Sequence, residues 1–176
     1  MRLEQQLAER RKPIVRKWFD QVVNTYPADT SKFLRQQKDP FANPVGAATM
    51  ESLDAAFGAL LADELDRDAV AAALDPVIRI RAVQTILSTE QAVGFLFFLK
   101  DIVRDDLGGR ADAGDLHMFD RKVDAFGLIG FSVYVQCRET VFRLKADVEK
   151  RSVYRAFSRA GLVSEPEGEA PEPKDS

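Results

Sequence analysis

Cys137 and His117 are the chain's one thiol and one imidazole, set among 176 residues. Paired, they would make a nucleophile and its base. Both fall in one predicted helix that opens near Asp112, twenty residues apart. Helix of that length separates them by about 30 Å, against the roughly 3 Å that proton transfer needs. Cys137 is therefore expected as a small buried apolar residue. A serine hydrolase would need His117 as its base, and the chain has no Gly-x-Ser-x-Gly elbow. Di-iron carboxylate bundles use two Glu-x-x-His pairs, which one histidine does not supply. Asp115, His117, Asp120 and Asp124 cluster at a helix start, where acids favour the positive end of the helix dipole. That reading is preferred to a surface metal site. The acids flanking Gly108-Gly109 do not follow the order of a calcium loop, and no Gly-Lys-Ser/Thr follows the glycines as in a P-loop. Haem is not expected either, because nothing between Arg67 and Leu87 is a histidine and His117 lies beyond the apolar helix. The expectation is no catalytic residue, no metal and no cofactor.

What remains is binding. Arg81, Gln84 and Ser88 form an i, i+3, i+7 polar stripe, read first as a solvent-facing edge and second as the wall of a ligand or partner site. The net charge is −3, but residues 164–176 alone carry −4, leaving the body at +1. Neither value describes a phosphate-binding surface. The segment after Ser88 is Phe-rich on all faces and has no basic residue before Lys100, unlike a recognition helix. Nucleic acid is not an expected partner. No apolar run approaches the roughly 20 residues of a membrane span, and the N-terminus lacks the apolar core of a signal peptide. A cytoplasmic protein without membrane insertion follows.

The elements that would position these residues all read as helices, and no period-two strand pattern appears. Leu3, Leu7, Ile14, Trp18, Val22 and Val23 repeat at helical spacing up to Tyr26, interrupted at Pro13. A short helix is predicted from Asp29 to Gln37. Asn43 fits an N-cap with Pro44 at N1, opening a helix to about Leu61. Asp75-Pro76 repeats the device and is predicted to open another helix, to about Leu87. Ser88 and Gln91 match a capping box for an all-round apolar helix ending at Gly108-Gly109. Gly94, Gly127 and Gly130 sit in apolar helix interiors, where close helix approach would offset a cost of about 1 kcal/mol each.

In the last helix Leu116, Phe119, Val123, Phe126, Gly130, Val133 and Cys137 recur at steps of three and four, a heptad seam. The register then degrades through Thr140, Leu144 and Asp147. As one helix to Phe157 this segment would be about 70 Å long, against about 40 Å for a compact domain of this size. The helix is therefore expected to be core-buried to about Lys145 and to project or re-dock beyond it. Gly161-Leu162 reads as a Schellman ending. Residues 1–162 are expected as one helical domain and 163–176 as a disordered acidic, Pro/Glu-rich tail.

Several strings carry a resemblance. Ile14-Val15-Arg16-Lys17-Trp18-Phe19, Tyr26-Pro27 and Lys38-Asp39-Pro40-Phe41-Ala42-Asn43-Pro44-Val45-Gly46 resemble the N-terminal domain of the RsbT co-antagonist (RsbR/RsbD-type) family. So do Ile78-Arg79-Ile80-Arg81-Ala82-Val83-Gln84, Gln91-Ala92-Val93-Gly94-Phe95 and Leu99-Lys100, and the similarity covers roughly residues 8 to 150. The resemblance implies a globin-like helical fold without haem, serving as an input domain in stress signalling. In multidomain members it precedes a phosphorylatable STAS domain that meets the kinase RsbT; these 176 residues leave no room for one. Members of the family dimerise. The resulting expectation is an all-α, globin-like bundle with a long C-terminal helix, acting as a non-catalytic sensory or regulatory module. A homodimer is expected through Phe119, Val123, Phe126, Val133, Cys137 and Leu144. A protein partner, or a small apolar ligand in a degenerate haem cavity, is expected at Arg79, Arg81, Gln84, Phe95, Phe98, Lys100 and Phe126. The alternative is a ligand-free structural adaptor docking through the last helix. An apolar cavity beside Phe95, Phe98 and Phe126 would favour the former; a filled core with exposed apolar residues from Val141 to Phe157 would favour the latter.

Overall fold

The computed structural model describes residues 2–162, so the expected acidic tail lies outside the described residues. All regular structure within them is helical: α1 (Leu3–Glu9), α2 (Arg11–Val23), α3 (Ala28–Gln36), α4 (Pro44–Leu60), α5 (Arg67–Ala82), α6 (Thr89–Gly94), a 3₁₀ turn (Phe95–Phe97), α7 (Phe98–Leu107) and α8 (Ala113–Arg159). The described residues fall into two compact units that part after Arg138.

In the first unit α2 is the central helix, packing against α1, α3, α4, α7 and the 3₁₀ turn, while α4 packs most extensively on α5. Pro13 lies in the first turn of α2, where its missing N–H is no loss; the chain breaks earlier, at Arg10. Asn43 caps α4 as its type and the following proline predict, its Oδ1 accepting from the Gly46 N–H at 2.8 Å. The Asn43 Nδ2 also donates to the carbonyls of Leu34 and Gln37, at 3.0 and 3.1 Å, so one buried amide joins the end of α3 to the start of α4. Gly46 is part of this device, since a Cβ there would overlap the Asn43 amide.

Two predicted boundaries move. The helix expected to open at Asp75-Pro76 begins nine residues earlier, at Arg67, with Asp66 as N-cap and Pro76 in its interior. Val70, Leu74, Val77 and Ile78, all at 0% exposure, form one buried stripe across the proline. An interior proline costs about 3 kcal/mol, and a stripe of four such side chains outweighs it at roughly 1.5–3 kcal/mol each. The Ser52 hydroxyl donates to the Ala73 carbonyl at 2.5 Å, in the turn before Pro76. The helix expected from Ser88 to Leu107 is broken by the 3₁₀ turn. Carbonyls there serve side chains of other helices: Phe95 accepts from the Trp18 indole at 2.7 Å, and Gln91 and Ala92 accept from Arg81. The Ser88–Gln91 capping box forms as expected.

The first part of α8 turns Phe119, Val123, Phe126, Gly127, Gly130 and Val133 inward. A Cβ on Gly130 would overlap the Leu96 side chain and press on Leu74 Cδ1 at 3.3 Å, and one on Gly127 would overlap the Phe97 ring. Close approach explains both glycines. It does not explain Gly94, where a Cβ would meet nothing within 4 Å. In the second unit, α8 residues 142–159 are exposed throughout. They end in the predicted Schellman motif, with Gly161 at φ 68°, Gly161 N–H bonded to Ser158 and Leu162 N–H bonded to Phe157.

Candidate functional site

Arg81 is the more deeply buried of two buried charged side chains in the first unit, the other being Asp106. It sits in the last turn of α5, 1% exposed, between the rings of Tyr26 and Phe95, whose centroids are 5.2 and 5.0 Å from its guanidinium carbon. Its Nε donates to the Ala92 carbonyl at 3.1 Å, and its Nη2 donates to the Gln91 carbonyl at 2.6 Å and the Thr25 hydroxyl at 3.0 Å. Thr25 passes its own proton on to the Val22 carbonyl. No carboxylate pairs with Arg81 among the described residues, and its Nη1 has no hydrogen-bond partner. Burial pulls the guanidinium below its ordinary pKa, and the neighbouring Tyr26 phenol offsets part of that. Guanidinium remains a cation even so. Carbonyl dipoles and two aromatic faces thus stand in for a counter-ion. Gln84 follows one turn on, its N–H donating to the Arg81 carbonyl at 3.3 Å, and its buried Oε1 is also without a partner.

Only part of the predicted ligand set gathers around Arg81. Phe95 is buried beneath it, and Trp18 lies against both Phe95 and Phe126, with ring centroids 6.1 and 6.4 Å away. Phe98 is half-buried against the same core. Arg79 points elsewhere and pairs with Asp75 at 2.6 Å, exposed. Lys100 pairs with Asp124 at 2.6 Å and lies over the Phe97 ring, while Arg104 pairs with Asp120. Two acids of the cluster at the start of α8 are therefore committed to α7 cations, and no group of three His, Cys, Asp or Glu able to hold a metal exists among the described residues.

The predicted seam residues Phe119, Val123, Phe126 and Val133 are buried in the chain's own core, Cys137 is half-buried beside it, and Leu144 is exposed. Burial, with Asp75 nearby, raises the Cys137 thiol pKa, which disfavours a reactive thiolate. His117 is exposed on the same continuous helix, so the two do not meet.

Three buried polar side chains organise the unit without having stood out as a group: Asn43, Trp18 and Asp106. Asp106, 6% exposed on α7, receives Arg10 through Nε and, at 3.1 Å, through Nη2; Lys17 donates to it at 3.0 Å. The Arg10 hydrogen bonds hold its carboxyl at about 2, below the usual range, against the upward pull of burial and with help from Lys17. In sequence Asp106 is one of several acids near the glycine pair, and only the packing of α2 on α7 singles it out.

The second unit has its own character. Phe142, Val153 and Phe157 fall on one side of its helix with Ala146, and Leu144 and Val148 on the other, each of the large residues between 47 and 65% exposed. Seven basic residues from Arg138 to Arg159 flank them.

A family model for the RsbT co-antagonist protein rsbRD N-terminal domain matches residues 12–148. The chain belongs to this family of stress-signalling regulatory domains. Searches of curated proteins and of solved structures found no match. Among the described residues, no helix is long and apolar enough to cross a membrane.

Proposed function

We propose that this chain is a non-catalytic regulatory module that works by protein–protein contact, and that a second copy is the first partner it meets. The globin-like course implied by the family resemblance is part of this reading. The observation that carries it is the second unit's helix, where Phe142, Leu144, Val148, Val153, Tyr154 and Phe157 are all at least 46% exposed. Phe142, Val153 and Phe157 share one side of that helix with Ala146, and an exposed apolar strip of this kind marks an interaction face rather than ordinary scatter. Burial of the earlier heptad residues in the core supports a contact through residues 142–157 rather than through most of the expected seam. The interior favours docking over a small apolar ligand beside Phe95, Phe98 and Phe126, because the Trp18 indole packs against two of those rings. The wide separation of Cys137 from His117 supports a role without catalysis.

Light scattering on the full chain tests this. The expected result is a dimer at micromolar concentration, converted to monomer by Phe142→Glu with Val153→Glu while helical circular dichroism is kept. A monomeric wild type, or a double variant that stays dimeric, would overturn the proposal.

A further inference from the structure

The two sides of the second unit's helix differ in charge. By helical spacing, Phe142, Val153 and Phe157 share theirs with two acids, Glu139 and Glu149, and two bases, Arg143 and Lys150. Leu144 and Val148 share theirs with Lys145, Arg151, Arg155 and Arg159. All six of these are exposed, and the acid at the edge of this side is Asp147, one turn before Arg151. None of the four cations forms an ion pair with another described residue. Residues 163–176 follow the Schellman turn, and they carry Glu165, Glu167, Glu169 and Glu172. Pro166, Pro171 and Pro173 favour extended backbone in the residues before them.

The two sets of charges repeat at the same pitch. Extended chain advances about 3.1–3.4 Å per residue, so acids two apart recur at about 6–7 Å. Side chains four apart on a helix recur at about 6 Å. Glu165, Glu167 and Glu169 therefore keep step with Arg159, Arg155 and Arg151. Glu172 then stands about 22 Å beyond Glu165, and Lys145 about 21 Å back from Arg159. Three extended residues, about 10 Å, carry the chain from Leu162 back to the level of Arg159.

We infer that residues 163–173 fold back antiparallel along the Leu144–Arg159 side of their own helix, with Glu165, Glu167, Glu169 and Glu172 meeting Arg159, Arg155, Arg151 and Lys145. In this register Pro171 falls level with Val148 and Pro173 with Leu144, which are 65 and 60% exposed. One exposed ion pair contributes little alone. Four on one tether form as intramolecular contacts, at an effective concentration of about millimolar. The docked segment neutralises the basic side and leaves the charge-balanced Phe142 side open. Self-association through Phe142 and Val153 uses that other side, so a monomeric wild type would leave the tail contact standing.

Nitrogen-15 relaxation on the full chain tests this. At about 20 mM NaCl the amides of Glu165, Glu167 and Glu169 should show order parameters above about 0.6, the bound below which backbone is flexible. At about 0.5 M NaCl, where the screening length is about 4 Å, they should fall below it. Arg155→Gln with Arg159→Gln should lower them likewise at low salt. Arg143→Gln with Lys150→Gln removes the same charge from the other side and should leave them unchanged. Glutamine is a good helix former, so circular dichroism should be the same for both double variants. Wild-type order parameters below about 0.6 at low salt would overturn the inference. So would values unmoved by the higher salt, or equal behaviour of the two double variants.

Discussion

Replacing Asp106 by Asn removes one charge and little shape from the junction between α2 and α7. The native carboxylate is buried, yet its partners Arg10 and Lys17 are 39 and 50% exposed at the side chain. The variant therefore returns both cations to water rather than stranding them in the interior, and the larger penalty of a broken buried pair does not apply. A carboxyl held at about 2, against an ordinary value of 3.8, corresponds to about 2.5 kcal/mol at 1.36 kcal/mol per unit. Screening of the two half-exposed cations reduces this to about 1–2 kcal/mol at neutral pH. The sign follows from linkage. Because the folded value lies below the unfolded one, the unfolded chain takes up the proton first as pH falls, so the contribution is complete above about pH 4 and is lost towards pH 2. Urea unfolding of wild type and Asp106→Asn, followed by the fluorescence of Trp18, the chain's one tryptophan and fully buried, measures the gap at each pH. The gap should close between about pH 4 and pH 2. A gap of the same size at both ends of that range, or none at neutral pH, is incompatible with Asp106 as the titrating group.

Asn43→Asp keeps the cap on Gly46 but replaces the amide donor to Leu34 and Gln37 by an acceptor facing two carbonyls, and should cost about 2–3 kcal/mol in urea unfolding. Asn43→Asp as stable as wild type would show that the α3–α4 join is dispensable. The two core glycines should differ. Gly130→Ala gains about 1 kcal/mol of helix propensity but overpacks against fully buried Leu96, at about 1–3 kcal/mol, for a net loss. Gly127→Ala meets the ring of Phe97, which is 38% exposed and can swing outward; that displacement offsets part of the same helix-propensity gain, so its unfolding free energy should stay within about 0.5 kcal/mol of wild type. Equal effects at both positions would contradict the packing described.

Helical class, the Asn43-Pro44 start, the Ser88–Gln91 capping box, the glycine stop at 108–109 and the Schellman ending at Gly161 are all legible from residue types, because each rests on hydrogen bonds within a few residues of the chain. Misreadings arise where distant partners intervene. Asp75-Pro76 looks like a helix start until the stripe from Val70 to Ile78 is seen packed across it. The apolar run after Ser88 looks like one helix until Trp18 and Arg81 claim its carbonyls. A heptad seam in sequence states that a face is apolar but not what covers it; here most of it faces the chain's own core, and exposed apolar residues continue past residue 139. Arg81 shows the same division at a single position. Its place on a polar stripe is written in the spacing, whereas its burial between Tyr26 and Phe95, without a carboxylate, comes from the α2–α3 connection more than fifty residues earlier in the chain and, for Phe95, from the turn that follows. Local hydrogen bonding is encoded residue by residue, while burial and charge compensation depend on which faces meet, and that is decided only when the helices pack.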